Sequence, residues 1–369
     1  MSNPVQNQYV PDFVSPPGET LLELLEERGM SQAELAERTG RPKKTINEII
    51  KGKAALTPET AIQLEHVLGT PASFWNNREQ HYREWLARQE ERESLREYLP
   101  WMKKFPLRAM INLSWIRKRG DSISQLEELL SYFGVASPTQ WESMQAEAQW
   151  RRSPAFQADP AAVSAWLRRG EILAEQIQCA GYDAARFRAA LSQIRALTTE
   201  PPEHFAPQMR ELCAQAGVAV VFVPEIPGTH TYGATRWLSP AKAMIMLSLR
   251  YKTGDHLWFT FFHEAAHILS HGKREMFLED DQEASEDAWA REAEADRFAA
   301  DFLIPPQQMS GFHPKGQHFS QQDVIEFAQR LGIAPGIVVG RLQHDGILDP
   351  QNLNGLKQRL QWPKPGSQQ

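Results

Sequence analysis

Cysteine is scarce: the 369 residues hold only Cys179 and Cys213. Two thiols cannot build a disulfide framework or a four-cysteine zinc ribbon, and they fit a reducing compartment. Long apolar runs are absent as well. The stretch 217–223 falls far short of the about 18–20 residues that span a bilayer. The opening MSNPVQNQYVPDF has neither a basic stretch nor an apolar core, so it does not read as a signal peptide. No pattern repeats at a fixed period, and no tract is of low complexity. Charge of one sign does not dominate either, since 40 Lys+Arg stand against 46 Asp+Glu for a net charge of −6. That balance argues against a surface coated for nucleic acid, yet it leaves room for one local basic face. With 41% hydrophobic and 23% charged residues, most of the chain can bury cores, and its length suits two or three domains. The expectation is a soluble, cytoplasmic, multidomain protein with no membrane partner.

Residues 1–18, rich in proline, read as a flexible arm. From Glu19 the apolar residues fall at helical spacing in short blocks. ETLLELLEERG ends at Gly29, and Ser31 with Glu34 forms a capping box for SQAELAERT. Gly40 breaks that helix, Pro42 opens PKKTINEIIKG, and Thr57-Pro58-Glu59 opens ETAIQLEHVLG. A long polar helix follows to about Tyr98, giving a first domain over 19–98. Residues 99–200 read as a helical middle region without a chemical motif, suited to packing, spacing or dimerisation. Thr198–Pro207 is the expected boundary. Beyond it, GVAVVFVPEIPG and AKAMIMLSLRY read as strands, TYGATRWL as strand or loop, and helices surround His263, Glu292–Leu303 and Ser320–His344. This α+β domain covers 208–348, and 349–369 reads as a C-terminal tail.

Helices two and three, joined by a tight glycine-containing turn, follow the helix-turn-helix plan, in which the second helix enters the major groove. Residues 38–53 carry Arg38, Arg41, Lys43, Lys44, Lys51 and Lys53 against Glu48 alone, a local charge of +5. Lys43, Lys44, Thr45 and Asn47 are placed to reach base edges or phosphates, and Gln32 to reach a phosphate. A lysine pair by itself is more often a solvated helix start. The whole stretch GMSQAELAERTGRPKKTINEIIKGKAALTPETAIQLEHVLGTPASFW, however, resembles the DNA-binding domain of HigA-type antitoxins in the XRE (Cro/repressor-like) family. The resemblance implies a five-helix domain that works as a homodimer on palindromic double-stranded operator DNA, and it admits a toxin partner.

A second motif lies in FFHEAAHILSHG. His263 and His267, four residues apart on a helix, share one face and can reach one metal ion. Glu264 would stand where it can take a proton from an attacking water. Downstream, in WAREAEADRFAADFLIPP, Glu292 and Asp296 are also four apart. One face thus presents a carboxylate ligand and an acid able to hydrogen-bond the free nitrogen of a ligating imidazole. Glu294 points about 200° away from Glu292 and is less suited. A solvated acidic helix beside a half-buried histidine pair is the simpler reading of either segment alone. His271 reads as a surface or supporting residue. His313, His318 and Tyr232 are weaker candidates for stabilising an oxyanion, and the strand AKAMIMLSLRY is a candidate edge for an extended substrate.

GATRWLSPAKAMIMLSLRYKTGDHLWFTFFHEAAHILSHGK, EAEADRFAADFLIPP and GIAPGIVVGRLQHDGIL resemble the ImmA/IrrE metallopeptidase-like domain over about 210–348. The resemblance implies a zincin-like fold with one Zn2+ on His263, His267 and Glu292, and Glu264 as base. It further implies action on helix-turn-helix repressors. Where a common form of the motif has glycine, this chain has Ala266, a sterically close and helix-favouring change. The combined expectation is a DNA-binding regulator whose zinc endopeptidase domain cuts itself or a partner regulator. The alternatives are a non-catalytic antitoxin that binds operator and toxin, and a sensor whose metal domain binds a signal.

Overall fold

The computed structural model describes residues 13–149, 159–270, 286–313 and 319–362. The chain divides into two compact units, Met1–Leu99 and Pro100–Gln369. In the first, α1 (Pro17–Glu27), α2 (Gln32–Thr39), α3 (Lys43–Ile50), α4 (Pro58–Leu68) and α5 (Ala72–Leu95) follow in order. Local chemistry sets their ends. Ser31 Oγ accepts the Glu34 N–H at 3.1 Å, and Thr57 Oγ1 accepts that of Thr60 at 3.3 Å. Gly40 and Gly69, each at φ +67°, close α2 and α4 in the left-handed conformation that glycine adopts without strain. The capping box expected at Ser31 is only half formed, because the Glu34 carboxylate turns to Arg38 one turn further along. Leu21, Leu25, Leu35, Ile46, Leu64 and Trp75 meet in one buried core.

The expected arm differs in the part that is described. Pro17 is the first residue of α1, where a proline's fixed φ suits the helix. Phe13 packs edge-on against Trp85 at 5.6 Å, and Arg78 donates to Ser15 Oγ at 2.7 Å. A Cβ at Gly18 would come within 2.3 Å of the Ile49 carbonyl, so glycine lets α1 lie directly on the end of α3. Residues 1–12 of that arm lie outside the described residues.

Helix α6 (Leu99–Met102) begins at the division, and the second unit continues through α7 (Leu107–Asn112), α8 (Ser122–Phe133), α9 (Pro138–Gln149), α10 (Pro160–Glu175), α11 (Ala184–Ala196) and α12 (Pro202–Gln215). Strands β1 (Val218–Phe222), β2 (Gly233–Ser239) and β3 (Lys242–Leu247) come next. Helices α13 (Gly254–Ser270), α14 (Glu286–Leu303), α15 (Pro306–Ser310), α16 (Gln321–Leu331) and α17 (Pro335–His344) complete it. The sheet order is β1-β3-β2, with β1 parallel and β2 antiparallel to β3. Strand β3 is therefore central. The expectation that AKAMIMLSLRY offers an edge is wrong: Ala243–Leu247 are all buried and paired on both sides, and the outer strands are β1 and β2. An unbroken apolar run marks an enclosed strand.

Alternate residues of β3 serve two layers. Ala243, Ile245 and Leu247 join the main core with α11, α12 and α13, in which Phe187, Leu191, Phe205, Trp258 and Phe261 are buried. On the other face Met246 lies against Gly170 of α10, and Trp166 Nε1 donates to the Val223 carbonyl at 3.2 Å. Trp141 Nε1 in turn donates to Ser164 Oγ at 3.2 Å, so α9 braces α10. The middle helices thus roof the sheet rather than forming a separate spacer. The boundary expected at Thr198–Pro207 is not a linker: Pro202 is the first residue of α12, and Phe187 through Cys213 contribute to the core that holds the sheet. The expected tail also packs in its described part. Thr253 bridges to Arg359, Gly254 N–H donates to the Gln358 carbonyl at 2.8 Å, and Leu360 is buried.

Candidate metal centre and nucleic-acid interface

Helix α13 is enclosed except along one strip. His256, Phe259, Thr260, His263, His267 and Ser270, at helical spacing, keep solvent access while most other positions are buried. Phe262 stacks on Phe302 at 5.0 Å, which sets α14 alongside α13. Across that junction, Nε2 of His263 and Nε2 of His267 lie 3.1 Å apart. Glu292 Oε2 stands 3.3 Å from the first, and Oε1 3.6 Å from the second. Ligand atoms on a tetrahedral zinc stand about 3.3–3.5 Å apart, so the two imidazoles and one carboxylate fit a borderline-soft divalent metal. Glu294 is exposed and takes no part in the group, whose three donor atoms lie within 4.8 Å of one another.

Asp296 accepts from His263 Nδ1 at 2.8 Å, which fixes the tautomer that turns Nε2 toward the other donors. Burial alone would push His263 down. Hydrogen bonds with Asp296 and Glu292, and the charges of Glu264 and Glu292, outweigh it and carry the imidazole up to about 10 in the metal-free protein. The same contact with His263 holds both Glu292 and Asp296 below the usual carboxylate range.

Glu264 is buried on the side of α13 that faces β2. Desolvation raises its carboxyl to about 7, against the opposing pull of the His263 charge and of a hydrogen bond from Thr235. Thr235 Oγ1 lies 2.7 Å from Glu264 Oε2. A Cβ at Gly233 would meet Glu264 Oε1 at 2.8 Å, so the strand passes close only because that residue is glycine. Sequence reasoning missed both residues. The lone signal was a glycine and a threonine two apart in a short run that read as strand or loop. Tyr232 joins a ladder at the mouth of the strip: its ring stacks on Tyr251 at 5.0 Å, Tyr251 lies 4.2 Å from His256, and Arg250 lies over Tyr232. His313 is exposed, and His271 and His318 lie outside the described residues.

In the first unit, Lys43, Lys44 and Asn47 of α3 line an open hollow with Glu48, Lys51 and Lys53. Lys44 reaches Glu48 only at 3.8 Å, leaving the hollow strongly basic. Gln32 Oε1 accepts from Asn47 Nδ2 at 3.4 Å, so these two side chains meet at the start of α2 and the middle of α3, while Thr45 is half-buried.

Residues 21–75 match the helix-turn-helix family, and residues 213–343 match the IrrE N-terminal-like domain. The chain joins these two domains. The IrrE-like match contains β1–β3, α13 and α14, and hence His263, Glu264, His267 and Glu292. Over 61 residues the chain is 39% identical to the uncharacterized HTH-type transcriptional regulator YddM of Escherichia coli (strain K12), covering 16% of this chain and 65% of that protein. Among solved structures, an antidote protein of a plasmid maintenance system from Nostoc punctiforme is similar at 31% identity. It covers 23% of this chain and 92% of its own, with a TM-score of 0.22. The Pseudomonas aeruginosa antitoxin HigA, solved with the higBA promoter, is similar at 28% identity over 22% of this chain and 91% of its own, with a TM-score of 0.22. Among the described residues, no helix is long and apolar enough to cross a membrane.

Proposed function

We propose that the chain is a DNA-binding transcriptional regulator whose IrrE-like domain is a zinc-dependent endopeptidase acting on itself or on a partner regulator. The observation that carries this reading is the convergence of His263, His267 and Glu292 within 4.8 Å, with the buried Glu264 carboxyl beside them. His263, His267 and Glu292 would hold the zinc, with Asp296 keeping the His263 proton on Nδ1. When bound, zinc supplies Lewis acidity toward a peptide carbonyl and toward water. Glu264 takes the proton from the attacking water and returns it to the departing amine. An extended substrate adds to the outer edge of β2, which runs beside Glu264. In the first unit α3 offers Lys43, Lys44, Thr45 and Asn47 to operator DNA, and Gln32 supports Asn47 from α2.

The test begins with elemental analysis of wild type and His263→Ala, prepared side by side. About one zinc per chain in wild type and little in the variant are expected. Zinc-loaded full-length protein is then incubated with and without operator DNA, beside Glu264→Ala. Cleavage that the Glu264→Ala protein lacks supports the endopeptidase. A chain that stays intact, and that also leaves a peptide library uncut, would reduce the domain to a structural or sensing role in a repressor.

A further inference from the structure

Strand β2 alternates between two layers. Gly233, Thr235 and Trp237 turn toward α13, and Arg236 turns to Glu171 of α10 on the opposite side. The Thr235 hydroxyl has one proton and two acceptors in range, the Glu264 carboxylate at 2.7 Å and the Glu264 carbonyl at 3.1 Å. The carboxylate is closer and charged, so it takes the proton. Among the described residues this is the one hydrogen bond that the Glu264 carboxylate accepts. Untied, the carboxylate would turn freely about its last torsion, whose wells are broad. Threonine is stiff at χ1, and strand pairing with β3 fixes its backbone opposite Ile245.

We infer that Thr235 is the positioning residue for Glu264: its hydroxyl holds Oε2, and the space left by Gly233 keeps Oε1 clear to accept the proton of the attacking water. This role rests on the endopeptidase reading and adds a second element, strand β2, to the machinery of the helix. Thr235 does not touch the reacting atoms, so its effect falls on how often Glu264 is aimed rather than on peptide binding.

The experiment compares wild type, Thr235→Val and Thr235→Ser as zinc-loaded full-length proteins. The probe is a quenched-fluorescent peptide that the wild type selects from a mixed library. Thr235→Val, which keeps the shape and loses the hydroxyl, is expected to lower kcat about tenfold with KM within about twofold, the usual size of one hydrogen bond to a charged group. Thr235→Ser is expected to recover most of the loss, and zinc per chain to stay at the wild-type level in both. A readout independent of turnover is the infrared carboxylate band that wild type shows and Glu264→Gln lacks, recorded metal-free above neutral pH. It is expected to shift in Thr235→Val and to return in Thr235→Ser. An unshifted band overturns the inference whether or not any peptide is cut. An unchanged kcat in Thr235→Val, or an equal loss in Thr235→Ser, also overturns it. A wild type that cuts no peptide while the band still shifts refutes the endopeptidase reading and leaves the hydrogen bond standing without a catalytic role.

Discussion

Replacing Lys357 with methionine tests how the C-terminal segment secures α13. Lys357 Nζ lies 2.7 Å from Asp255 Oδ2, and the two side chains keep only 11% and 6% of their exposure. Among the described residues, Asp255 Oδ1 has no hydrogen-bond partner. At that distance the gross attraction of a unit charge pair is about 6 kcal/mol at an effective dielectric constant near 20, most of it offset by the cost of desolvating both ions. The variant loses the attraction and keeps the cost, because the Asp255 carboxylate stays buried without a counter-charge. Removing one partner of a buried pair costs about 3–5 kcal/mol. Asp255 sits in the first turn of α13, where the helix dipole returns about 0.3–1 kcal/mol to a carboxylate. The expected loss for Lys357→Met is therefore about 2–4 kcal/mol. Adding Asp255→Asn, which removes the stranded charge, should recover about half of it. Urea unfolding of the metal-free protein, followed by far-UV circular dichroism, reads both values. A loss below about 0.5 kcal/mol, or a double variant no more stable than the single one, would refute the reasoning.

Four further outcomes follow from the geometry. Asp296→Asn removes the acceptor that orients His263 and should weaken zinc binding about 10–100-fold in chelator competition, with the fold intact by circular dichroism. Zinc uptake should release protons at neutral pH, since the metal-free cluster holds His263 up to about 10 and Glu264 up to about 7. Because zinc displaces those protons, apparent affinity should rise with pH, and calorimetry in two buffers of different ionisation enthalpy would reveal an absence of release. Gly233→Ala places a Cβ 2.6 Å from Thr260 Cγ2 and 2.8 Å from Glu264 Oε1, so it should cost about 1–3 kcal/mol and suppress peptide hydrolysis; wild-type stability and turnover would count against the close approach. Lys44→Ala in the basic hollow should reduce the slope of log affinity for operator DNA against log salt by about one, and an unchanged slope would place Lys44 off the phosphates.

The parts of the molecule governed by neighbours in sequence were legible in advance. Ser31 and Thr57 as helix starts, Gly40 as a stop and the helical spacing of His263 and His267 are all one-turn relations. Glu292 and Asp296 could be ranked above Glu294 because helical phase alone separates them. What the sequence concealed depends on pairing at a distance. Thr235 and Gly233 meet Glu264 only because β2 folds back on β3 and lies against a helix that starts at Gly254. The run 243–247 was apolar enough to be a strand, but its place between two others is a property of the sheet. Prolines misled twice for one reason. Pro17 and Pro202 each start a helix, and a proline that opens a helix leaves the same local signature as one that interrupts a linker. Glu34, expected to close a capping box, had a competing cation at Arg38 on the same helix face.

The roof over the sheet carries a consequence for where the chain can be divided. Helix α10 covers one face of the strands, and α11 supplies Phe187, Leu191 and Ile194 to the core on the other. Arg195 of α11 donates to the carbonyls of Phe302, Leu303 and Leu331, binding the ends of α14 and α16. Helix α10, the three apolar residues of α11 and Arg195 all precede 213, where the IrrE-like match begins. A protein cut to the limits 213–343 would expose the methionine face of β3 and lose the arginine clasp, so it should aggregate. The same dependence would govern self-cleavage, if the chain is its own substrate as proposed. Severing within α10–α12 would unmake the fold that holds the candidate metal centre, whereas a scission near Leu99–Pro100 would free the helix-turn-helix and leave that fold whole.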